Sequence, residues 1–283
     1  MGMSVVLLLS SCFVKEDRDE CPCWMTVEMP DRVGHDGSVV LRLRGNSDED
    51  AVDYAYKVLE SIKAGVAALE YEVPRGAVGV SAVAFGNEIP GRAGYDGKSA
   101  GYDGDEIRIP VGEQMDSLYG FFKMYHTRCE SIRCDVELHK EFCTVSFTLV
   151  NEHYESPYDI EVCGNVSGVS SWDLAPMNGV FKYAPVAEEG VYRVRVPRQV
   201  DASLELVMLE MPGQASHDGV RTEDDGERAV VYRLPLGEYI IRSGYDWAAK
   251  NLSDVSVALD LEKQQVMVTV SGWDEIVVMD VVI

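Results

Sequence analysis

No stretch of this sequence reaches the roughly 20 consecutive apolar residues that a membrane-spanning helix needs. P-loop, G-x-G-x-x-G and H-E-x-x-H patterns are missing too, which removes the commonest routes to nucleotide, dinucleotide and zinc-protease chemistry. Basic residues are scarce: 25 Lys and Arg stand against 48 Asp and Glu, a net charge of -23. A surface this acidic repels nucleic acid and has no basic patch for anionic headgroups. The five histidines, His35, His126, His139, His153 and His217, are scattered, and no paired C-x-x-C units accompany them, so a zinc site is not expected. Gly164-Asn165-Val166-Ser167-Gly168 has its serine in the wrong register for a nucleophile elbow. Acidic pairs such as Asp224-Asp225 carry little information in so acidic a chain. No catalytic residue, metal or cofactor emerges, and a non-enzymatic role is expected.

What is present begins at the N-terminus. Met3 to Ser11 form a short apolar run that ends at Cys12. Its length suits a signal-peptide hydrophobic region, not a span. Leu9-Ser10-Ser11-Cys12 resembles the bacterial lipobox, whose cysteine thiol receives a diacylglycerol and whose acyl chains each add about 0.8 kcal/mol of membrane affinity per buried CH₂. Lipidation at Cys12, with palmitate-type acyl chains in outer-membrane lipid, is therefore expected. No Lys or Arg precedes the apolar run, and a basic segment is expected upstream of Met1. Phe13 to Glu20 read as a charged, solvated tether, in which Lys15-Glu16-Asp17 resembles the signal that sends some lipoproteins to the outer face. The other six cysteines, Cys21, Cys23, Cys129, Cys134, Cys143 and Cys163, form an even set that suits disulfides in an exported chain. Fifteen connectivities are open, and Cys21-Pro-Cys23 is too tight to bridge to itself.

Most of the remainder reads as strands. Cys143 to Leu149, Tyr192 to Val196, Leu204 to Leu209 and Val255 to Asp260 have short alternating character rich in β-branched and aromatic residues, punctuated by Gly, Pro, Asn and Asp. Asp50 to Glu70 is the exception: Ala51, Val52, Ala55, Val58, Leu59 and Ile62 have helix-like spacing, and a short helix or irregular crossover is expected there. The repeated Gly-Tyr-Asp-Gly of residues Gly94 to Asp105 reads as a hairpin loop, since the EF-hand register is not met. Trp24, Trp172, Trp247 and Trp273 read as core anchors of a sandwich.

Three echoes run through the chain in order. Val73-Pro74-Arg75 returns as Val196-Pro197-Arg198, 123 positions later; Ile109-Pro110-Val111-Gly112-Glu113 returns as Leu234-Pro235-Leu236-Gly237-Glu238, 125 later; and the Cys23 strand returns at Cys143, 120 later. Near-constant offsets predict two similar tandem domains: a signal peptide over 1–11, a lipidated tether over 12–23, and β-sandwich domains over 24–133 and 134–283. The chain closes on Glu275 to Ile283, almost continuously apolar. Such a strand must be buried on both faces or become an aggregation hazard. Ile276, Val277, Val278, Met279, Val281, Val282 and Ile283 are therefore either the last strand of their own domain or a strand that pairs with another subunit.

The lipobox, Cys21-Pro-Cys23, Leu138 to Val145, and the C-terminal segments Leu236 to Tyr239, Ser243 to Trp247 and Val268 to Trp273 together resemble the FimB-like fimbrillin-associated anchor proteins of Bacteroides-type bacteria. The resemblance covers nearly the whole mature chain. It implies an all-β fold of two transthyretin-like, Greek-key sandwiches. It also implies an outer-membrane lipoprotein, facing the cell exterior, that binds fimbrial shaft subunits and holds the base of the fimbrium in cell adhesion. Of the family's functional positions only Cys12 carries over. The alternative is a surface glycan-binding lipoprotein of a polysaccharide-uptake system, which would require two or more exposed, coplanar tryptophans.

Overall fold

A computed structural model describes residues 21–29, 39–46, 51–59, 68–85, 102–103, 106–150, 158–210, 229–260, 262–272 and 276–280. The structure is all-β, built of sandwiches. Its strands, in chain order, are β1 (Cys23–Glu28), β2 (Val39–Asn46), β3 (Ala51–Leu59), β4 (Ala68–Val73), β5 (Ala77–Phe85), β6 (Tyr102–Asp103), β7 (Glu106–Arg108), β8 (Leu118–His126), β9 (Ser131–Asp135) and β10 (His139–Lys140). There follow β11 (Phe142–Val150), β12 (Tyr158–Ser170), β13 (Pro176–Tyr183), β14 (Ala187–Glu188), β15 (Val191–Pro197), β16 (Glu205–Glu210) and β17 (Val230–Leu234). A helix, α1 (Leu236–Arg242), then precedes β18 (Val255–Asp260), β19 (Gln265–Val270) and β20 (Ile276–Asp280).

Period-two patterning explains the layers. In β1, Cys23, Met25 and Val27 are buried while Trp24, Thr26 and Glu28 turn outward. In β19, Val266, Val268 and Val270 are buried in the same way. The first core lies between the sheet β4-β1-β9 and the sheet β10-β8-β5-β2-β3, and the second between β14-β15-β11-β18-β19-β20 and β17-β16-β12-β7-β6, with β13 also on β12.

The two halves repeat one pairing scheme. β1 pairs β4 antiparallel and β9 parallel; β11 pairs β15 antiparallel and β18 parallel. In the facing sheets, β2 pairs β3 and β5, and β5 pairs β8; correspondingly β12 pairs β13 and β16, and β16 pairs β17. Even the register repeats: Cys23 sits opposite Val73, and Cys143 opposite Val196. Two of the three sequence echoes are thus equivalent places in the fold. The third is not. Ile107 and Arg108 lie within β7, which pairs β12, whereas the counterpart of β17 is β8.

Three other expectations are corrected. The described parts of Asp50 to Glu70 are the strands β3 and β4. Val52, Tyr54, Tyr56 and Val58 also alternate with period two, and the free edge of β2 supplies eight register partners to β3, which outweighs a weak helical spacing. Leu236 to Arg242, read as part of a strand-turn echo, forms α1, with Leu236, Gly237, Tyr239 and Ile240 buried. Finally, a division between residues 133 and 134 falls inside β9, whose five residues all belong to the first half's sheet. In the opposite sense, β6 and β7 leave the first half and extend the second half's sheet beside β12, while Val83, Ile109, Met115 and Leu118 enter the second core. The halves are interleaved because a hairpin joins whichever sheet edge lies beside it, and sequence order does not record that.

Candidate assembly surfaces

The first surface is the junction between the halves. β5 is buried on both faces: Val78, Val80, Ala82 and Ala84 face the first core, while Gly79, Ser81 and Val83 face the second half. The β12–β13 turn docks there. Ser170 shapes it, its hydroxyl accepting the amides of Trp172 and Asp173 at 3.2 and 3.3 Å. Asp173 accepts the amide of Ala175 at 3.2 Å, and Leu174 sits at φ 61. The indole of Trp172 then lies over Gly79, beneath the Arg44 guanidinium (4.9 Å) and edge-on to Phe122 (5.4 Å). Leu174 lies over Gly120 in the same fashion. A Cβ on Gly79 would come within 2.4 Å of the indole, and one on Gly120 within 2.5 Å of Leu174, so the seat exists only because both residues are glycine. Ser81 donates to the Ser171 carbonyl at 2.9 Å, and Arg42 to its hydroxyl at 3.3 Å.

A buried ion pair seals the same junction. Arg198 and Glu141 meet at 2.9 Å with side chains 15% and 7% exposed, and Arg198 also donates to the carbonyls of Trp247 and Ala249. Burial pushes the Glu141 carboxyl up and Arg198 draws it back. His139, beside Glu137 at 3.8 Å, is held below its usual range, first by burial and then by Lys250. A polar cleft of about 650 Å³ runs along Lys140, Arg193 and Arg195. Its charges already have partners within the chain: Lys140 pairs with Asp254, Arg193 with Glu188, and Arg195 with Ser117 and the Met115 carbonyl.

The second surface is the C-terminal edge. β20 pairs antiparallel with β19 of its own chain and is the last strand of its sheet among the described residues. Burial on both faces was expected, but β20 buries one: Met279 enters the core and Val277 packs against it, while Val278 is 54% exposed. Val281, Val282 and Ile283 lie outside the described residues, as does the side chain of Ile276.

The third is the corner where the chain enters β1. Cys12 and the tether to Glu20 lie outside the described residues. Cys21 is exposed and Cys23 buried. The Arg75 guanidinium donates to the Cys21 carbonyl at 2.8 Å and to the Arg128 carbonyl at 2.7 Å. Cys134 and Cys143 are buried beside Tyr125 and Tyr245, and burial pushes the Cys143 thiol up to about 12. The six cysteines from Cys21 to Cys163 are drawn unbridged in this structure.

The aromatic expectations divide. Trp247 is buried against Tyr245 at 4.7 Å, and Trp172 fills the junction, but Trp24 is 53% exposed on β1. Trp273 lies outside the described residues, so one tryptophan among those described faces solvent. Ser167 is buried within β12. Gly97-Lys98-Ser99-Ala100-Gly101 does match the nucleophile-elbow pattern. It lies outside the described residues, yet it is followed at once by strand β6 and not by the helix such an elbow requires. Among the described residues no group of three or more His, Cys, Asp or Glu is placed to hold a metal, and no helix is long and apolar enough to cross a membrane.

No known family matches the sequence, and no curated protein does either. Solved structures do match the fold. Candidate polysaccharide-binding proteins of Bacteroides thetaiotaomicron superpose with a TM-score of 0.57 at 14% identity, covering 93% of this chain and 98% of that one. The fimbrial anchor protein Mfa2 of Porphyromonas gingivalis gives 0.56 at 12%, covering 89% and 98%. A candidate adhesin of Bacteroides ovatus gives 0.56 at 13%, covering 92% and 96%. At these identities the likeness is one of fold.

Proposed function

We propose that this chain is a non-enzymatic anchor subunit of a fimbrium. It is tethered in the outer membrane through acyl chains on Cys12, faces the cell exterior, and offers the outer edge of β20 to the first shaft subunit. The observation that carries this reading is the end-to-end fold likeness to a fimbrial anchor protein, 98% of whose chain is covered. The edge strand adds a physical means. An unpaired strand edge accepts a partner strand through main-chain hydrogen bonds, each contributing about 0.5–1.5 kcal/mol net. The exposed side chain of Val278 and the apolar segment after it would add buried area at about 25 cal/mol per Å². The interleaved halves suit a part that carries load, since neither can be pulled from the other without opening a shared sheet.

The test is fractionation with co-purification. The wild-type chain is expected in the outer-membrane fraction together with fimbrial subunits, and Cys12→Ala is expected to wash free. Val278→Lys, which places a charge on the edge strand, is expected to remain folded and lose the fimbrial subunits. A Cys12→Ala protein that partitions like wild type ends the tether, and a Val278→Lys protein that keeps its subunits ends the role of the β20 edge. A glycan-binding role has one observation in its favour, the likeness to candidate polysaccharide-binding proteins. It lacks a tryptophan platform among the described residues, and co-purification of transporter components in place of fimbrial subunits would establish it.

A further inference from the structure

The corner at β1 places three thiols around one turn. The parallel pairing of β1 with β9 sets Trp24 opposite Ser131, and the amide of Trp24 donates to the Glu130 carbonyl at 2.9 Å. Cys23 and Cys129 are therefore on adjoining stretches of backbone. Arg75 fixes both stretches independently, its fork spanning the Cys21 and Arg128 carbonyls. Within this frame Cys129 is close enough to Cys23 to push its thiol up, after burial. Cys21, two residues away, is exposed.

We propose that Cys23 and Cys129 form a disulfide that fastens the chain's entrance to the β8–β9 turn. The proposal rests on the exported location above only for its oxidising surroundings; the pairing itself rests on the geometry. The oxidant is a dithiol–disulfide donor, either a protein thiol oxidase or glutathione disulfide. Cys129 is exposed and meets the donor first. Its thiolate attacks one donor sulfur, releasing the other as a thiolate. Cys23 then attacks the Cys129 sulfur and displaces the second donor thiolate. Two S–H bonds are exchanged for one S–S bond, the donor disulfide is reduced to two thiols, and the two protons pass to the released sulfurs. Burial and the neighbouring Cys129 push the Cys23 thiol up, so Cys23 does not lead the attack and the second step proceeds through the fraction of Cys23 that is deprotonated.

The physical consequence concerns force. A pull on the tether acts at Cys21 and would peel β1 from its sheet one bond at a time. A covalent link at Cys23 passes that pull to the turn before β9 and loads both neighbours of β1 together. The bridge also closes a loop of roughly 100 residues, for which chain-entropy stabilisation is near its largest.

The experiment is peptide mapping of the full chain without reduction, on two samples: protein recovered from cells, with its fraction recorded, and purified protein exposed to glutathione disulfide. Both are expected to give one cross-linked peptide pair, Cys23 with Cys129, in wild type and in Cys21→Ala. Cys129→Ser is expected to lose it while folding normally, because Cys129 is an exposed turn residue. Reduction should lower the wild-type Tm by on the order of 10 °C and leave Cys129→Ser unmoved. A Cys21–Cys129 pair, a Cys23 that stays free in the oxidised purified chain, or a Tm indifferent to reduction would each overturn the proposal. Recovery from the cytoplasm would sink the exported reading alone, since the purified sample decides the pairing without it.

Discussion

Each half of the molecule ends a strand with Val-Pro-Arg and aims the arginine back at the residue two before its central cysteine. In the first half Arg75 takes the Cys21 carbonyl and the Arg128 carbonyl before β9. In the second, Arg198 takes the Glu141 carboxylate and the carbonyls of Trp247 and Ala249 before β18. The topology is the same, and the surroundings are not. Arg75 is half-buried beside the start of β1. Arg198 is 15% exposed and lines a cleft with Gly120 and Phe121 of the first half. A repeated fold thus supplies the same clamp twice, and position decides whether it becomes an adaptable corner bounded by thiols or a sealed ion pair.

The largest expected effect breaks that comparison at its buried member. Arg198→Leu leaves the Glu141 charge buried without its partner and should cost about 3–5 kcal/mol in denaturant unfolding. Arg75→Leu removes hydrogen bonds to carbonyls that water can reach, and should cost about 1 kcal/mol. Equal losses would mean that the two clamps are energetically alike despite their burial.

The junction comes next. Trp172→Ala empties the seat over Gly79 and should cost about 2–3 kcal/mol, less than for a fully buried indole. Gly79→Val should cost about 1–3 kcal/mol by forcing the indole out. Calorimetry is expected to show a single transition in wild type, because β6, β7 and four first-half core residues belong to the second half. Two well-separated wild-type transitions would show that the halves are independent after all.

A smaller effect follows from His139 at the same junction. Its folded pKa lies below the value it has unfolded, first through burial and then through Lys250. The unfolded state therefore binds the proton more readily, and the contribution to stability is present above about pH 6.5 and is lost as pH falls through the lower folded value. Glu141 acts in the opposite sense, since its raised folded pKa favours the native state as pH falls toward the ordinary carboxyl range. The difference between wild type and His139→Gln isolates the histidine: the variant should lose less stability than wild type between pH 7 and pH 5. An identical pH slope in both proteins would remove His139 from the account. The smallest effect is at the far edge, where Val278→Lys should change unfolding stability by less than about 0.5 kcal/mol because the side chain is exposed.

Much of the fold was legible in the residues because β patterning is local. Cys23, Met25 and Val27 alternate with Trp24, Thr26 and Glu28, and each sandwich face can be read from such runs. The Val-Pro-Arg echo was legible too, since a proline at a strand end and a cysteine at a strand start mark the same places in both halves. Val52, Tyr54, Tyr56 and Val58 held the signal for β3 beneath a competing helical spacing. The C-terminal strand was legible as a strand but not as an edge with one face exposed, because what covers a face is a neighbour and not a property of the strand.

The sequence by itself determined the all-β class, the inward and outward alternation within strands and the two echoes that mark equivalent strands, through periodicity and strand-ending punctuation that act within a few residues. The tertiary structure alone decided the interleaving of the halves, the glycine seats under Trp172 and Leu174, the sealing of Arg198 with Glu141 and the meeting of Cys23 with Cys129. Each of these joins residues far apart in the chain. Their partners are fixed by which sheet edge or face lies within a few ångströms after folding, a distance that position along the chain does not encode.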